Sequence, residues 1–265
     1  MNKHKKEEIY FRKNNSINGE TIIFIHGLSG SSSAWMPYEK KLNKMYNIIS
    51  LDLRGHGKSF RPKKLKDYSI RLFSNDIYNL AKKEKLSKFI LVSHSFGNLI
   101  TLDFAKKHQK MLKALILISP DAAPKKIRSA FTLYPLIYLT KLIDYFPSIK
   151  NKGIHVDYTQ YLNTGDWNVR RFITDVKNTG IKSFLFSMAH AYNFDIENFL
   201  SKIKIPILII HGDKDTIFPV SSGIKINNLI KKSKLIILNE CDHIIVLNNF
   251  NKVYNEINKF LESLK

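Results

Sequence analysis

Three residue types that together can activate a hydroxyl stand where apolar runs end: Ser95 in LVSHSFGN (91–98), Asp215 in HGDKDTIFP (211–219) and His243 in NECDHIIVL (239–247). A serine hydroxyl is a weak nucleophile until an imidazole takes its proton, and the imidazole needs a carboxylate to fix its tautomer. A serine at a strand end is ordinarily a turn former or a helix cap. The neighbours of Ser95 suggest more. S-H-S-F-G is close to the pattern G-x-S-x-G, in which small residues two positions either side of a nucleophile let a strand and a helix meet on a tight turn. The helix start then adds N–H groups and positive potential. Gly97 meets the requirement on one side, and Ser93 stands where glycine is usual on the other. Two further carboxylates, Asp213 and Asp121, also follow apolar runs and compete for the acid role.

A fourth stretch, HGLSGSSSAW (26–35), follows another apolar run. A His-Gly turn there lets the backbone bend so that the N–H of Leu28 faces the same place as the N–H of Phe96. Two such donors form an oxyanion hole, and their side chains need not be polar. His26, His56, His94 and His211 sit in turns, where they hydrogen-bond or line a site. His26, Trp35, His94, Phe131 and His190 are candidates to touch a substrate, with packing as the alternative for each. Tyr134, Trp167 and Phe184 are further candidates for an apolar wall. No H-E-x-x-H or Cys/His ligand spacing occurs, so no metal is expected and no cofactor is required. Cys241 reads as a small buried filler, and Asp52 and Arg54 as supports for their own loop, DLRGHG.

These residues need elements to position them. Apolar runs lie at 21–27, 46–52, 88–94, 112–119, 205–212 and 234–240. They are continuous rather than alternating, as in strands buried on both faces of a parallel sheet. Residues 8–14 read as an extra edge strand. Helical patterns near 32–44, 69–84, 97–108, 220–231 and 244–264 complete a βαβα rhythm, which predicts a mostly parallel sheet with helices on both faces. Ser95, Asp215 and His243 then all fall at C-terminal strand ends, on one edge of the sheet, where they can converge. The rhythm stops between Pro120 and Ile203. That aromatic interval is too long for a loop, and it reads as a mostly helical insertion overhanging the ligand-binding edge.

Composition bounds the rest. The chain has 265 residues, 44% hydrophobic and 25% charged, enough for one large α/β domain or a core with an inserted subdomain. A single cysteine precludes an intrachain disulfide, and the charged start MNKHKKEEIY lacks the apolar run of a signal peptide. The most apolar stretch, 130–146, is broken by Pro135, Lys141 and Asp144, short of the roughly 18 unbroken apolar residues of a membrane span. A cytoplasmic protein is expected. The net charge of +21 comes from lysines scattered along the chain, with one dense run, KSFRPKKLK (58–66). The chain is rich in Lys, Asn and Ile, as an AT-rich genome would make it. No nucleic-acid partner is expected, and a weak attraction to anionic surfaces is. Oligomeric state is not legible.

Together with HGLSG, SHSFG, GDKD and DH, the loop DLRGHGKS (52–59) completes a set of motifs running from residue 21 to about 250. In this order they resemble the α/β-hydrolase fold superfamily, in its cap-bearing esterase and lipase-like branch. The resemblance implies a core of residues 1–120 and 203–265 and a helical cap of residues 121–202. It implies Ser95 as nucleophile, His243 as base, and Asp215 rather than Asp213 as acid, because the family's acid follows G-x-x-D. It implies hydrolysis of carboxylic esters of small to medium, partly apolar substrates. Serine at position 95 argues against haloalkane dehalogenases and epoxide hydrolases, whose nucleophile is aspartate. Carbon–carbon bond hydrolysis and monoacylglycerol or lysophospholipid lipase activity are alternatives. A hydrolase-like small-molecule receptor with slow turnover is an alternative of another class. An ester panel, and ligand-induced stabilisation without turnover, separate these readings.

Overall fold

The apolar runs assemble into one seven-stranded sheet in the order β1-β3-β2-β4-β5-β6-β7. The computed structural model describes residues 8–16, 19–126, 134–145 and 153–265. The strands are β1 (Phe11–Asn14), β2 (Glu20–Ile25), β3 (Tyr46–Leu51), β4 (Phe89–His94), β5 (Leu112–Ile118), β6 (Ile207–Gly212) and β7 (Ser233–Leu238). Only β1 is antiparallel, with Phe11 opposite Leu51, so the expected edge strand forms at Phe11–Asn14. The other pairs are parallel, which sets the ends of β4, β5 and β6 side by side: His94 pairs Ile118, and Ile118 pairs Ile210.

Successive strand residues divide between two cores. Ile23, Ile25, Leu91, Leu115, Leu117 and Ile209 face one side, where α2 (Ile70–Lys83), α3 (Phe96–His108) and α8 (Val220–Leu229) bury Phe73, Ile77, Leu99 and Ile226. Ile22, Phe24, Ile90, Val92, Ile116 and Ile210 face the other, under α1 (Met36–Leu42), α9 (Ile245–Asn248) and α10 (Phe250–Ser263). Burial on both faces explains why these strands carry no polar alternation. The helix expected over 244–264 is two helices, because Asn249 (φ −122°, ψ 38°) leaves helical geometry between them. The one expected over 32–44 begins as a tight 3-10 turn, Ser32–Trp35, before α1.

Between β5 and β6 the described residues carry α4 (Tyr134–Ile143), α5 (Val169–Thr179), α6 (Ile181–Tyr192) and the short α7 (Glu197–Leu200). Gly180, at φ 86°, turns the chain between α5 and α6. This region is stapled to the loops at the sheet's C-terminal edge. Thr179 Oγ1 donates to Ser29 O at 3.0 Å, and the Tyr68 and Ser183 hydroxyls lie 2.7 Å apart. His155 Nε2 lies 2.8 Å from Asp52 Oδ2. Arg61, in the basic run, donates to Gly57 O and Asn178 O at 3.0 and 2.8 Å, so its guanidinium holds backbone instead of facing solvent. No helix among the described residues is long and apolar enough to cross a membrane.

Candidate active site

Ser95 is the single residue between β4 and α3, and it has φ 51° and ψ −118°. A non-glycine residue held there stores strain on the order of 1–3 kcal/mol, which the surroundings must over-determine. The Ser95 N–H donates to Ile118 O at 3.0 Å, and the Asn98 N–H to Ser95 O at 2.9 Å. A Cβ on Gly97 would sit 2.8 Å from His26 O and 2.9 Å from Ile25 Cγ2, so only glycine lets α3 start this close to β2. Ser93 fits on the other side because its hydroxyl is matched. Its Oγ donates to Asn98 Oδ1 at 2.7 Å, and Asn98 Nδ2 donates to Ile118 O at 2.8 Å. Both residues are fully buried, so each needs the other.

The three residues singled out first come together here. Ser95 Oγ lies 2.7 Å from His243 Nε2, and His243 Nδ1 lies 2.8 Å from Asp215 Oδ2. Burial pushes the Asp215 carboxyl up, but the His243 imidazole and the hydrogen bonds from His211 and His243 outweigh it and hold the group well below the usual carboxylate range. An ionised Asp215 accepts only, so Nδ1 carries the imidazole proton and Nε2 is left to accept from the Ser95 hydroxyl. Asp215 Oδ1 accepts from the Ile217 and Phe218 N–H groups at 3.0 and 2.8 Å, which fixes the carboxylate's plane. His211 Nε2 lies 3.2 Å from Asp215 Oδ2 and 2.9 Å from Phe218 O, bracing the same turn.

The competing carboxylates are engaged elsewhere. Asp213 Oδ1 accepts from the Cys241 N–H at 3.2 Å. Asp121 accepts from the Ala123 N–H at 2.7 Å and from Ser222 Oγ at 2.5 Å, and burial raises its pKa. Cys241 is buried, and Arg54 makes a two-pronged ion pair with Asp76 at 2.6 and 2.7 Å. Asp52 accepts from the N–H groups of Ser32 and Lys58 at 2.7 and 2.8 Å.

Leu28 and Phe96 both line a cavity of about 600 Å³ that opens on Ser95 and His243. Neither N–H group donates to another described residue. The cavity wall is apolar, with Phe172, Phe184 and Met188 from α5 and α6 facing Phe218, Val246 and Leu247 from the core. Its volume falls in the range of small-molecule sites. Trp167 lies at its rim, 73% exposed, and donates Nε1 to Thr216 Oγ1 at 3.0 Å. Two carboxyl residues, Asp166 and Asp175, interrupt the apolar wall, and burial pushes Asp175 up to about 7.

The candidate substrate residues divide. His26 and His94 border the cavity, but hydrogen bonds to backbone hold both rings. His26 Nδ1 donates to Gly27 O at 2.7 Å, and Nε2 accepts from the Leu53 N–H at 3.0 Å. His94 is kept neutral, its pKa driven down to about 3 by burial and by His243, so its Nε2–H donates to His243 O at 2.8 Å. Trp35 reaches the cavity wall but is fully buried against Phe24 and Tyr38. His190 is not among the cavity residues. It points away, to Leu65 O at 2.9 Å, because α6 buries its opposite face in the cavity wall. Phe131 and the side chain of Tyr134 lie outside the described residues. Two residues were not anticipated. Asn98 carried a signal, as a polar side chain on a helix that is buried all round. Asp166, whose carboxylate accepts from the His243 N–H at 2.7 Å, carried none.

Comparison with known proteins agrees with this fold. The family described as alpha/beta hydrolase fold matches residues 20–250. An uncharacterized protein of Mycobacterium tuberculosis is 27% identical over 218 residues, 76% of this chain and 63% of that one, so the chain spans under two thirds of that relative. Lipase 3 of a Moraxella species is 22% identical over 276 residues, 98% of this chain and 82% of the lipase. The crystal structure of a hydrolase from Pseudomonas aeruginosa superposes with a TM-score of 0.78 at 18% identity, over 96% of this chain and 94% of that one. Names among the relatives are mixed, lipase and epoxide hydrolase both occurring.

Proposed function

The chain belongs to the alpha/beta hydrolase fold family, and on that premise we propose that it is a serine hydrolase cleaving carboxylic esters of small to medium, partly apolar substrates. One observation carries the reading: the Ser95 hydroxyl lies 2.7 Å from an imidazole nitrogen whose other nitrogen is 2.8 Å from a carboxylate. Ser95 Oγ attacks the ester carbonyl while His243 Nε2 takes its proton. The resulting imidazolium is stabilised by Asp215 and gives that proton to the departing alcohol. The Leu28 and Phe96 N–H groups hold the oxyanion, each worth about 3 kcal/mol in the transition state. Water, deprotonated by His243, then attacks the acyl-enzyme and releases the acid. No step calls for a cofactor or a metal. Residues 121–202 act as the cap that closes the apolar cavity over the acyl group.

The apolar lining favours a second reading within the same chemistry, a monoacylglycerol or lysophospholipid as the ester. The test is hydrolysis of p-nitrophenyl esters from acetyl to palmitoyl by the wild type, Ser95→Ala and His243→Ala. The reading predicts turnover that peaks at short to medium acyl length and is abolished in both folded variants. A peak at long acyl length moves the assignment to the lipid esters. Ligand-induced stabilisation without turnover of any ester moves it to the receptor.

A further inference from the structure

We propose that Asp166 is a positioning residue whose carboxylate fastens the acid turn and the base turn together, from the segment that precedes α5. The inference rests on the serine-hydrolase reading above. Asp166 Oδ1 accepts from the backbone N–H of His243 at 2.7 Å. Its Oδ2 accepts from the Thr216 N–H at 3.0 Å and from Thr216 Oγ1 at 2.7 Å. Thr216 directly follows Asp215. A single planar group thus holds the base residue with one oxygen and the neighbour of the acid with the other. The two oxygens of a carboxylate are fixed relative to each other, so the two turns are held at one spacing.

The residue type follows from the donors. Three donors face this side chain, and a carboxylate accepts on both oxygens without offering a donor of its own. Asparagine has the same shape but would turn an NH2 group toward one of the turns. Asp166 is itself anchored. Arg171, buried, donates to Asp166 O at 2.8 Å and to Thr164 Oγ1 at 2.9 Å. Asn248 Nδ2 donates to Thr164 O and to Asp242 Oδ2, both at 2.9 Å, and Asn248 Oδ1 accepts from the Asn163 N–H at 3.0 Å. Trp167 Nε1 adds a bond to Thr216 Oγ1 at 3.0 Å. Residues 163–167 therefore grip both turns, while the Asp166 carboxylate bonds to neither Ser95 nor the imidazole ring. It acts through the placement of His243 and Asp215.

The test compares the full chain with Asp166→Asn, Asp166→Ala and Thr216→Val. Three readouts are taken: the rate of Ser95 modification by a fluorophosphonate, kcat and KM on one ester turned over by the wild type, and the low-field proton NMR signal of His243 Nδ1–H. A displacement of about 1 Å at a reacting group costs on the order of 100-fold. Asp166→Ala is expected to slow modification and kcat by about 10- to 100-fold and to weaken the low-field signal, with KM within about twofold. Asp166→Asn keeps one turn fastened and falls between, and Thr216→Val, which removes one hydroxyl from an exposed residue, falls least. Unchanged rates and signal, or a change in KM alone, overturn the proposal. If Asp166→Ala does not fold, the other two variants carry the comparison. If the wild type itself reacts with no probe and no ester, the serine-hydrolase reading fails. The NMR signal still decides the clamp, since it weakens in the variants if Asp166 positions the base and stays unchanged if it does not.

Discussion

Asp175 is an acid placed where its charge is costly, and replacing it should make the protein more stable. Its carboxyl lines the apolar cavity, with the Tyr158 hydroxyl at 3.3 Å, and burial lifts its pKa to about 7 from the ordinary 3.8 against the opposing pull of Arg171. The unfolded chain therefore releases this proton at lower pH than the folded one. Below about pH 4 both states are protonated and the group has no effect. As the pH rises from there to about 7, the folded state retains the proton that the unfolded state has lost, so stability falls. Above that range the cost is constant. A displacement of about three pH units, at about 1.4 kcal/mol each, sets a ceiling of about 4 kcal/mol. Asp175 is only half-buried, so solvent screening brings the expected cost to about 2 kcal/mol. Asp175→Asn keeps the shape and the acceptor for Tyr158 and removes the charge. Urea unfolding of both proteins from pH 4 to 8 should give equal stabilities at the acid end. At pH 8 the variant should be ahead by about 2 kcal/mol. Parallel stability curves across that range would refute the argument that this carboxyl is buried at a cost.

Other outcomes follow from the same geometry. Asp215→Asn removes the charge that orients His243 and should lower kcat about ten-thousand-fold, whereas Asp213→Asn should stay within about threefold of wild type in the same ester assay. Comparable losses in both would mean the acid is misassigned. Gly97→Ala places a methyl against His26 O and Ile25 and should cost about 1–3 kcal/mol in urea unfolding. An unchanged midpoint there would show that β2 and α3 are not packed as closely as described.

Much of this was legible in the sequence because the sheet is buried on both faces. Each strand then reads as an unbroken apolar run, and the chemistry-bearing residues mark where the runs stop. Ser95, Asp215 and His243 stand at such ends, and the parallel pairing from β4 through β5 and β6 to β7 brings those ends together. Ser93 in place of glycine was legible as a departure, but its partner was not. Asn98 sits on a helix with no polar face, and only the fold shows that its amide links Ser93 to the carbonyl that also holds Ser95. The region between β5 and β6 gave less. Aromatic and charged residues alternate there without the period of a sheet, so the sequence could not say which side chains face the cavity. His190, chosen as a residue that could face substrate, is turned to Leu65 O, while Phe172 and Met188 line the wall. Asp166 lies in a polar loop with no periodicity, and its role depends on two turns more than 45 residues further along the chain. Trp35 resembles a pocket residue by type, but its position over Phe24 and Tyr38 makes it core.

The most direct measurement is labelling of the purified protein with a fluorophosphonate, read by intact mass, for the wild type and Ser95→Ala. The account predicts a single adduct on the wild type and none on the variant, because among the described residues only Ser95 has a base 2.7 Å away that is held by an ionised carboxylate. A folded wild type that takes up no adduct, or a variant that takes up the same one, would contradict it.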